Sequence, residues 1–427
     1  MSRVLAPVIG ITFLVQLVAF FIGLGNNVIL SRWLGPEMLG VFASVIVIIE
    51  LVFKIVNPGL DTAAIYFISS KRFEFYKYVN TYSVNGFVVF LLGTLVLFFI
   101  PQAGFFIELF DSRNSGIISS NFFAVGFYFL SFLFHEFGVK IPLGLQQFKS
   151  YNKIQILKPV FLFLLLTGFS AFYEADLNII LVLVGASFFL PAIFYWLKAL
   201  PLKFKWEKET ADESLRYGIK VMLGSIIQFL NYRADILIIG YFLTQTEVGW
   251  YYVAVLVAER LLFLTQATAT ILLPAASSSE KQMEKTPLLS RLNFTVVLAG
   301  SILIGIIAYW IIPFLFSANY SNSVLPLVLI LPGIISLSVS KLISADLAAR
   351  GLPQYSTYVS ILNFILNITL NLILIPSLGI PGAAISSSLS YSAALILQAY
   401  YYKKISSVPL KDMLLIKKND IKKLKFV

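Results

Sequence analysis

Apolar segments of about twenty residues recur along the chain, separated by short polar breaks. They predict helices over 7–30, 39–60, 80–101, 117–139, 156–173, 178–197, 219–242, 248–273, 292–314, 324–347, 356–376 and 380–401. A helix needs ~20 predominantly apolar residues to cross a bilayer, so the pattern predicts twelve crossings. The run from Leu39 to Ser69 is too long for one perpendicular crossing. Within it, Asn57-Pro58-Gly59 predicts a break, because proline removes a helix hydrogen bond and glycine loosens the backbone. The first run, Pro7 to Leu30, is long and has no small-residue cleavage site at its end. It reads as a first span, not a removable leader.

Composition turns this pattern into a fold class. Hydrophobic residues make up 59% of the 427 positions and charged residues only 12%, against roughly 25% charged in soluble domains. The expected fold is an all-α integral membrane protein with lipid as its solvent. There is no cysteine, which excludes disulfides, thiolate metal sites and a cysteine nucleophile. The one histidine, His135, excludes a histidine-rich metal site. Neither a phosphate-binding glycine loop ending in lysine nor a zinc motif is present. No enzyme activity, built-in ATP engine or cofactor is expected.

The net charge of +11 has a topological explanation. Lys71, Arg72 and Lys77 lie in one loop, Lys140, Lys149, Lys153 and Lys158 around another, and Lys198, Lys203, Lys205, Lys208, Arg216 and Lys220 around a third. Lys281, Lys285, Arg291 and Arg350 follow on the same side, with Arg3 and the tail from Lys403 to Lys425. The opposite loops carry only Arg32 and Arg113 beside Glu37, Glu108, Asp111, Glu174, Asp176 and Glu247. By the positive-inside rule, both termini face the cytoplasm of a multi-pass protein in the cell (cytoplasmic or inner) membrane. No nucleic-acid partner is needed to account for the charge. The basic tail, with its interleaved Leu and Ile, reads either as a segment on the anionic leaflet or as a disordered charged tail that fixes topology.

The two halves resemble each other. When Gly40 is aligned with Gly249, Glu50 falls on Glu259, Asn57 on Gln266, Asp61 on Thr270, and Asn26 on Asp235. Later, Gly144-Leu145-Gln146-Gln147 matches Gly351-Leu352-Pro353-Gln354. Six spans per half is an even number, so the repeat is parallel, an arrangement that forms a central site between two bundles. The expected organisation is a six-helix bundle over 1–200, a cytoplasmic linker over 201–214, a second bundle over 215–402 and a basic tail over 403–427.

Polar residues inside the spans mark candidate chemistry, because charges in lipid are costly and usually face a bundle interior or a watery cavity. Glu50, Lys54, Asn57 and Asp61 are spaced by four, three and four, which puts them on one helical face. Glu50 lies ~16 Å below the start of its span, and it can pair with Lys54. Glu259, Gln266 and Thr270 repeat the stripe on span 8, which adds Arg260. Span 7 adds Gln228, Asn231, Arg233 and Asp235; span 10 adds Lys341 and Asp346; span 11 adds Ser360, Asn363, Asn367 and Asn371. Span 4 ends with His135, Glu136 and Lys140, His135 being read as an interfacial residue. One reading is a wet cavity whose cations receive an anionic headgroup such as a diphosphate while amides bond sugar hydroxyls. The other is glue that holds the helices together. Arg32, just outside span 1, either caps it or serves an outer mouth. These features together describe a transporter.

The passage Arg32-Trp33-Leu34-Gly35-Pro36-Glu37-Met38-Leu39-Gly40, followed by Asn57-Pro58-Gly59-Leu60-Asp61, resembles the first two spans of bacterial polysaccharide flippases of the Wzx type. Arg233-Ala234-Asp235-Ile236, with the Val248-Gly249 start of span 8, is similar to the same family. These flippases belong to the multidrug/oligosaccharidyl-lipid/polysaccharide (MOP) exporter superfamily. The resemblance implies a two-lobed bundle around a central cavity that works by alternating access. Its cargo would be an undecaprenyl-diphosphate-linked oligosaccharide, moved from the inner to the outer leaflet for surface polysaccharide biosynthesis. It also implies coupling to H+ or Na+, and a glycan polymerase and glycosyltransferases as partners. Two other function classes stay open on the residues: an ion-coupled multidrug or toxin exporter, and a non-transporting membrane scaffold for glycan enzymes.

Overall fold

The computed structural model describes residues 2–99, 117–198, 203, 205–263, 265–266, 286–417 and 420. Among these residues the regular structure is helical throughout. Ten helices are long and apolar enough to cross a membrane. Two features reconcile ten with the twelve expected spans. The first two spans form one continuous element, and span 8 is described as a regular helix only over Gln245–Arg260, 16 residues.

The chain falls into two compact units, Met1–Phe229 and Leu230–Val427. In the first unit, α1 (Ser2–Val56) is a 55-residue helix interrupted at Gly35, where φ is 69° and ψ 172°. That positive φ is open to glycine at little cost, and Pro36 restarts the helix at a position where its missing N–H does no harm. The expected break at Asn57-Pro58-Gly59 is present. Gly59 takes φ 69° and ψ 22°, and α2 (Leu60–Ser70) begins beyond it. Asn57 Oδ1 accepts the Leu60 N–H at 3.0 Å, which satisfies a donor exposed by the break. A Cβ on Gly59 would lie 2.3 Å from the Gly218 carbonyl oxygen, so the two backbones meet directly.

The other helices of this unit are α3 (Phe75–Phe99), α4 (Phe122–Gly144), α5 (Phe148–Ser170) and α6 (Leu177–Lys198), followed by α7 (Lys208–Phe242), whose last residues belong to the second unit. Gly86 and Gly93 of α3 leave room for the rings of Phe137 and Phe129 of α4. On the opposite stripe of α3, Phe87, Leu91, Leu95 and Phe98 are all exposed. An apolar stripe of this kind suits a lipid-facing helix and would be a liability in water.

The connection expected over 201–214 is held closely where it is described. Lys203 N donates to Asn80 Oδ1 at 3.0 Å, Glu207 N to Thr81 Oγ1 at 3.2 Å, and Trp206 Nε1 to Asn85 Oδ1 at 3.1 Å. Lys77 pairs with Glu207 at 2.6 Å and Arg72 with Glu213 at 2.8 Å. All five partners belong to α3 or lie just before it.

The second unit contains α8 (Gln245–Arg260), α9 (Thr286–Phe316), α10 (Val324–Ala349), α11 (Pro353–Leu378) and α12 (Ile380–Ser406). A full capping box starts α8, with Thr244 and Glu247 bonding each other's backbone N–H. Helices α10 and α12 pack closely because Gly333 faces Ser388, whose Oγ accepts the Gly333 N–H at 3.1 Å. Beyond α12 the tail folds back onto the unit. Met413 is buried with Val339, Ile343, Leu347, Leu395 and Tyr402. Arg291 of α9 forks onto Asp420, with Nε–Oδ2 and Nη2–Oδ1 both 2.7 Å, and its Nη1 donates to the Asp412 carbonyl at 2.6 Å. Around Met413 and Asp420 the tail is therefore an integral part of the unit. The disordered reading does not describe Met413 and Asp420.

Candidate functional site

The two units hold different intramembrane polar groups. In the first, the helix break organises the site. Asn57 Nδ2 donates to Asp61 Oδ1 at 3.0 Å. Lys140 of α4 reaches Asp61 at 3.9 Å and Glu136 at 3.2 Å. Lys158 of α5 stands 3.6 Å over the Phe188 ring, within electrostatic reach of Glu136 and Glu50. His135 is buried in the bundle, its ring edge-on to Phe188 at 5.2 Å and its Nδ1 without a partner. Lys54 lies 5.4 Å from the Phe53 ring centroid. Of the stripe Glu50, Lys54, Asn57 and Asp61, it is Asp61, carried past the break onto α2, that meets the charged end of α4.

The second unit separates its polar residues into two groups. One is a buried seam among α7, α8, α11 and α12. Tyr251 donates to Asp235 Oδ2 at 2.5 Å, while Ile236 N donates to Oδ1 at 2.8 Å. Asn363 Nδ2 donates to Asn231 Oδ1 at 2.8 Å, and the Tyr391 hydroxyl bonds the Asn231 carbonyl at 3.1 Å. Asn367 Nδ2 donates to Ser390 Oγ at 3.1 Å, and Asn371 Nδ2 to Asn367 Oδ1 at 2.9 Å. These amides join helices, and burial in lipid-facing bundles makes such bonds worth about 1 kcal/mol each. The Oδ1 atoms of Asn363 and Asn371 are buried without a partner.

The other group is cationic and half-exposed. Arg233 of α7 forks onto Glu259 of α8, with Nη1–Oε1 at 2.9 Å and Nη2–Oε2 at 3.1 Å. Lys341 of α10 stands 5.0 Å over the Tyr232 ring and lies within electrostatic reach of Glu259 and Arg233. Arg260 follows Glu259 at the end of α8 and is also half-buried. From the end where α7 meets α8, Arg233, Glu259 and Lys341 lie at depths of about 14, 21 and 26 Å at 1.5 Å per residue. The hydrocarbon core is about 30 Å thick, so all three depths fall inside it.

The structure therefore brings Arg233, Glu259 and Lys341 together, with Arg260 next in the chain. It places Asp235, Asn363 and Asn367 in the buried seam. Gln266 is exposed, and Thr270 lies outside the described residues. Arg32 is exposed on α1 just before the Gly35 interruption. Sequence reasoning missed Tyr232, whose ring carries Lys341, and Tyr251, which holds Asp235. Their one available signal was a tyrosine at helical spacing from an intramembrane charge.

Comparison with known proteins bears on what such a framework belongs to. A Haloferax volcanii protein named as a probable low-salt glycan biosynthesis flippase is 26% identical over 262 residues, which cover 55% of this chain and 56% of that protein. The chain thus matches little more than half the length of this relative. Among solved structures, the lipid II flippase MurJ in an inward closed conformation superposes with a TM-score of 0.79 at 15% identity, over 97% of this chain and 92% of that one. An inward-facing multidrug resistance transporter of the MATE family gives 0.69 at 15% identity, over 92% and 98%. A MOP superfamily transporter of Pyrococcus furiosus, described as having a binding pocket of reversed polarity, gives 0.62 at 16% identity, over 94% and 95%. The chain has the all-α membrane fold of the MOP superfamily transporters, as the resemblance of its first and seventh spans implies. The family model described as polysaccharide biosynthesis protein matches residues 29–325, well over half of the length, and the chain belongs to that family.

Proposed function

We propose that the chain is a flippase that moves undecaprenyl-diphosphate-linked oligosaccharide, a polysaccharide repeat unit, across the cytoplasmic membrane by alternating access. The cluster of Arg233, Arg260 and Lys341 carries this reading. Two cationic side chains, Arg233 and Lys341, sit with one carboxylate, Glu259, inside the hydrocarbon core, and Arg260 follows next in the chain. Holding excess positive charge in a low-dielectric environment is costly unless an anion shares it. A diphosphate that joins a polyprenyl chain to a sugar supplies two negative charges. Arginine forks fit phosphate oxygens in pairs, while a lysine adds a mobile point charge. Both termini face the cytoplasm, and cargo moves from the inner to the outer leaflet.

Coupling to Na+ or H+ belongs to the same proposal. The Asp235 carboxylate and the partnerless oxygens of Asn363 and Asn371 in one buried seam support a small cation there. A glycan polymerase and glycosyltransferases would act before and after the flippase. The test is deletion of the protein followed by analysis of lipid-linked oligosaccharide on each leaflet. Accumulation on the inner leaflet with loss of surface glycan is expected. Normal surface glycan together with lost dye efflux would replace this reading with that of a drug exporter.

A further inference from the structure

The second unit contains two arginine–carboxylate forks of opposite exposure, side-on through Nε and Nη2 in Arg291 and end-on through Nη1 and Nη2 in Arg233. Arg291–Asp420 is sealed, with side chains 7% and 2% exposed. Arg233–Glu259 is open, at 29% and 28%. The sealed fork is further anchored: Arg291 also bonds the Asp412 carbonyl, and Asp420 also accepts from Lys417 N at 2.8 Å. In the open fork Glu259 hydrogen-bonds to Arg233 alone among the described residues.

We propose that Glu259 is a built-in stand-in for the cargo's phosphate, neutralising Arg233 in the empty site, yielding it to an incoming diphosphate and competing for it again to set release. This rests on the reading of the chain as a flippase of diphosphate-linked cargo. A guanidinium within the hydrocarbon core cannot wait without a counterion, because stranding one member of a desolvated pair is strongly unfavourable. A carboxylate and a phosphate offer the guanidinium fork the same two-oxygen edge, so exchange keeps Arg233 paired throughout. Lys341, set over Tyr232, and Arg260 add attraction for a doubly charged anion that a single carboxylate does not match. Cargo without phosphate would not displace Glu259, so the same residue would set specificity.

The test uses purified full-length protein in nanodiscs, with undecaprenyl diphosphate as the probe for equilibrium binding and dissociation. Translocation is followed in proteoliposomes with a lipid-linked oligosaccharide. Glu259→Gln should bind the probe about tenfold more tightly, release it more slowly and translocate more slowly than the wild type. Glu259→Asp keeps the charge but shortens its reach, so it should fall between the two. Should Glu259→Gln fail to fold, the order of Glu259→Asp and wild type still decides. Equal or weaker binding by the variants than by the wild type would overturn the proposal. Absence of probe binding by every protein, wild type included, would remove the diphosphate reading itself and this inference with it.

Discussion

The two units share a pattern of positions but differ in chemistry. Under the alignment of Gly40 with Gly249, Glu50 matches Glu259, yet the residues matching Arg233 and Arg260 are Leu24 and Leu51. The match of Gly144 with Gly351 likewise places Phe134 at the position of Lys341. The cationic cluster is therefore a property of the second unit alone. The first unit keeps its acids and answers them with Lys140 and Lys158 from neighbouring helices. A repeat can keep where polar groups penetrate a bundle while the two copies carry different groups: here an arginine–lysine cluster around one glutamate, there a lysine–carboxylate network.

The largest expected effect tests the sealed fork against the open one. Arg291→Ala strands the buried Asp420 carboxylate, at a cost of about 3–5 kcal/mol. Thermal unfolding in detergent should show a large drop, and limited proteolysis should cut a released tail. An unfolding temperature unchanged within error would mean that the fork contributes nothing to stability. Next, Arg233→Gln should slow translocation by about 10- to 100-fold, the range expected for one charged, paired hydrogen-bonding group, with a much smaller change in unfolding temperature. If stability fell as far as in Arg291→Ala, the distinction between the two forks would fail. Third, Gly59→Ala places a Cβ against the Gly218 carbonyl at a positive-φ position. It should destabilise the first unit by about 1–3 kcal/mol, measured by the same unfolding assay. The smallest effect is assigned to Lys54→Gln, which should lower translocation by less than about threefold if the headgroup cations reside in the second unit. A loss as deep as that of Arg233→Gln would show that both units bind the headgroup.

Much of this framework was legible in the sequence because lipid imposes strict rules. Backbone polar groups must be satisfied within each helix, so apolar run length located the spans, and proline with glycine located the break at Asn57-Pro58-Gly59. Intramembrane charges pointed to Arg233, Glu259 and Lys341 for the same reason. What was not legible depended on contacts between distant segments. Nothing in the spacing of Asn363 and Asn367 distinguishes an amide facing water from one bonded to Asn231 or Ser390. The docking of Lys203, Trp206 and Glu207 on α3 uses Asn80, Thr81 and Asn85, ordinary polar residues near a span's end. The basic composition of the tail hid Asp420, an acid whose value lies in Arg291.

That last contact has a consequence for biosynthesis. Arg291 and Asp420 are 129 residues apart in the chain. At typical synthesis rates of about 5–20 residues per second, Arg291 emerges several seconds or more before its counterion exists. During that interval its guanidinium lacks the carboxylate that holds it in the folded unit. Completion of the second unit is therefore timed by translation of its last residues, so a ribosome that stalled shortly before Asp420 would leave a chain with every span made and one arginine still waiting.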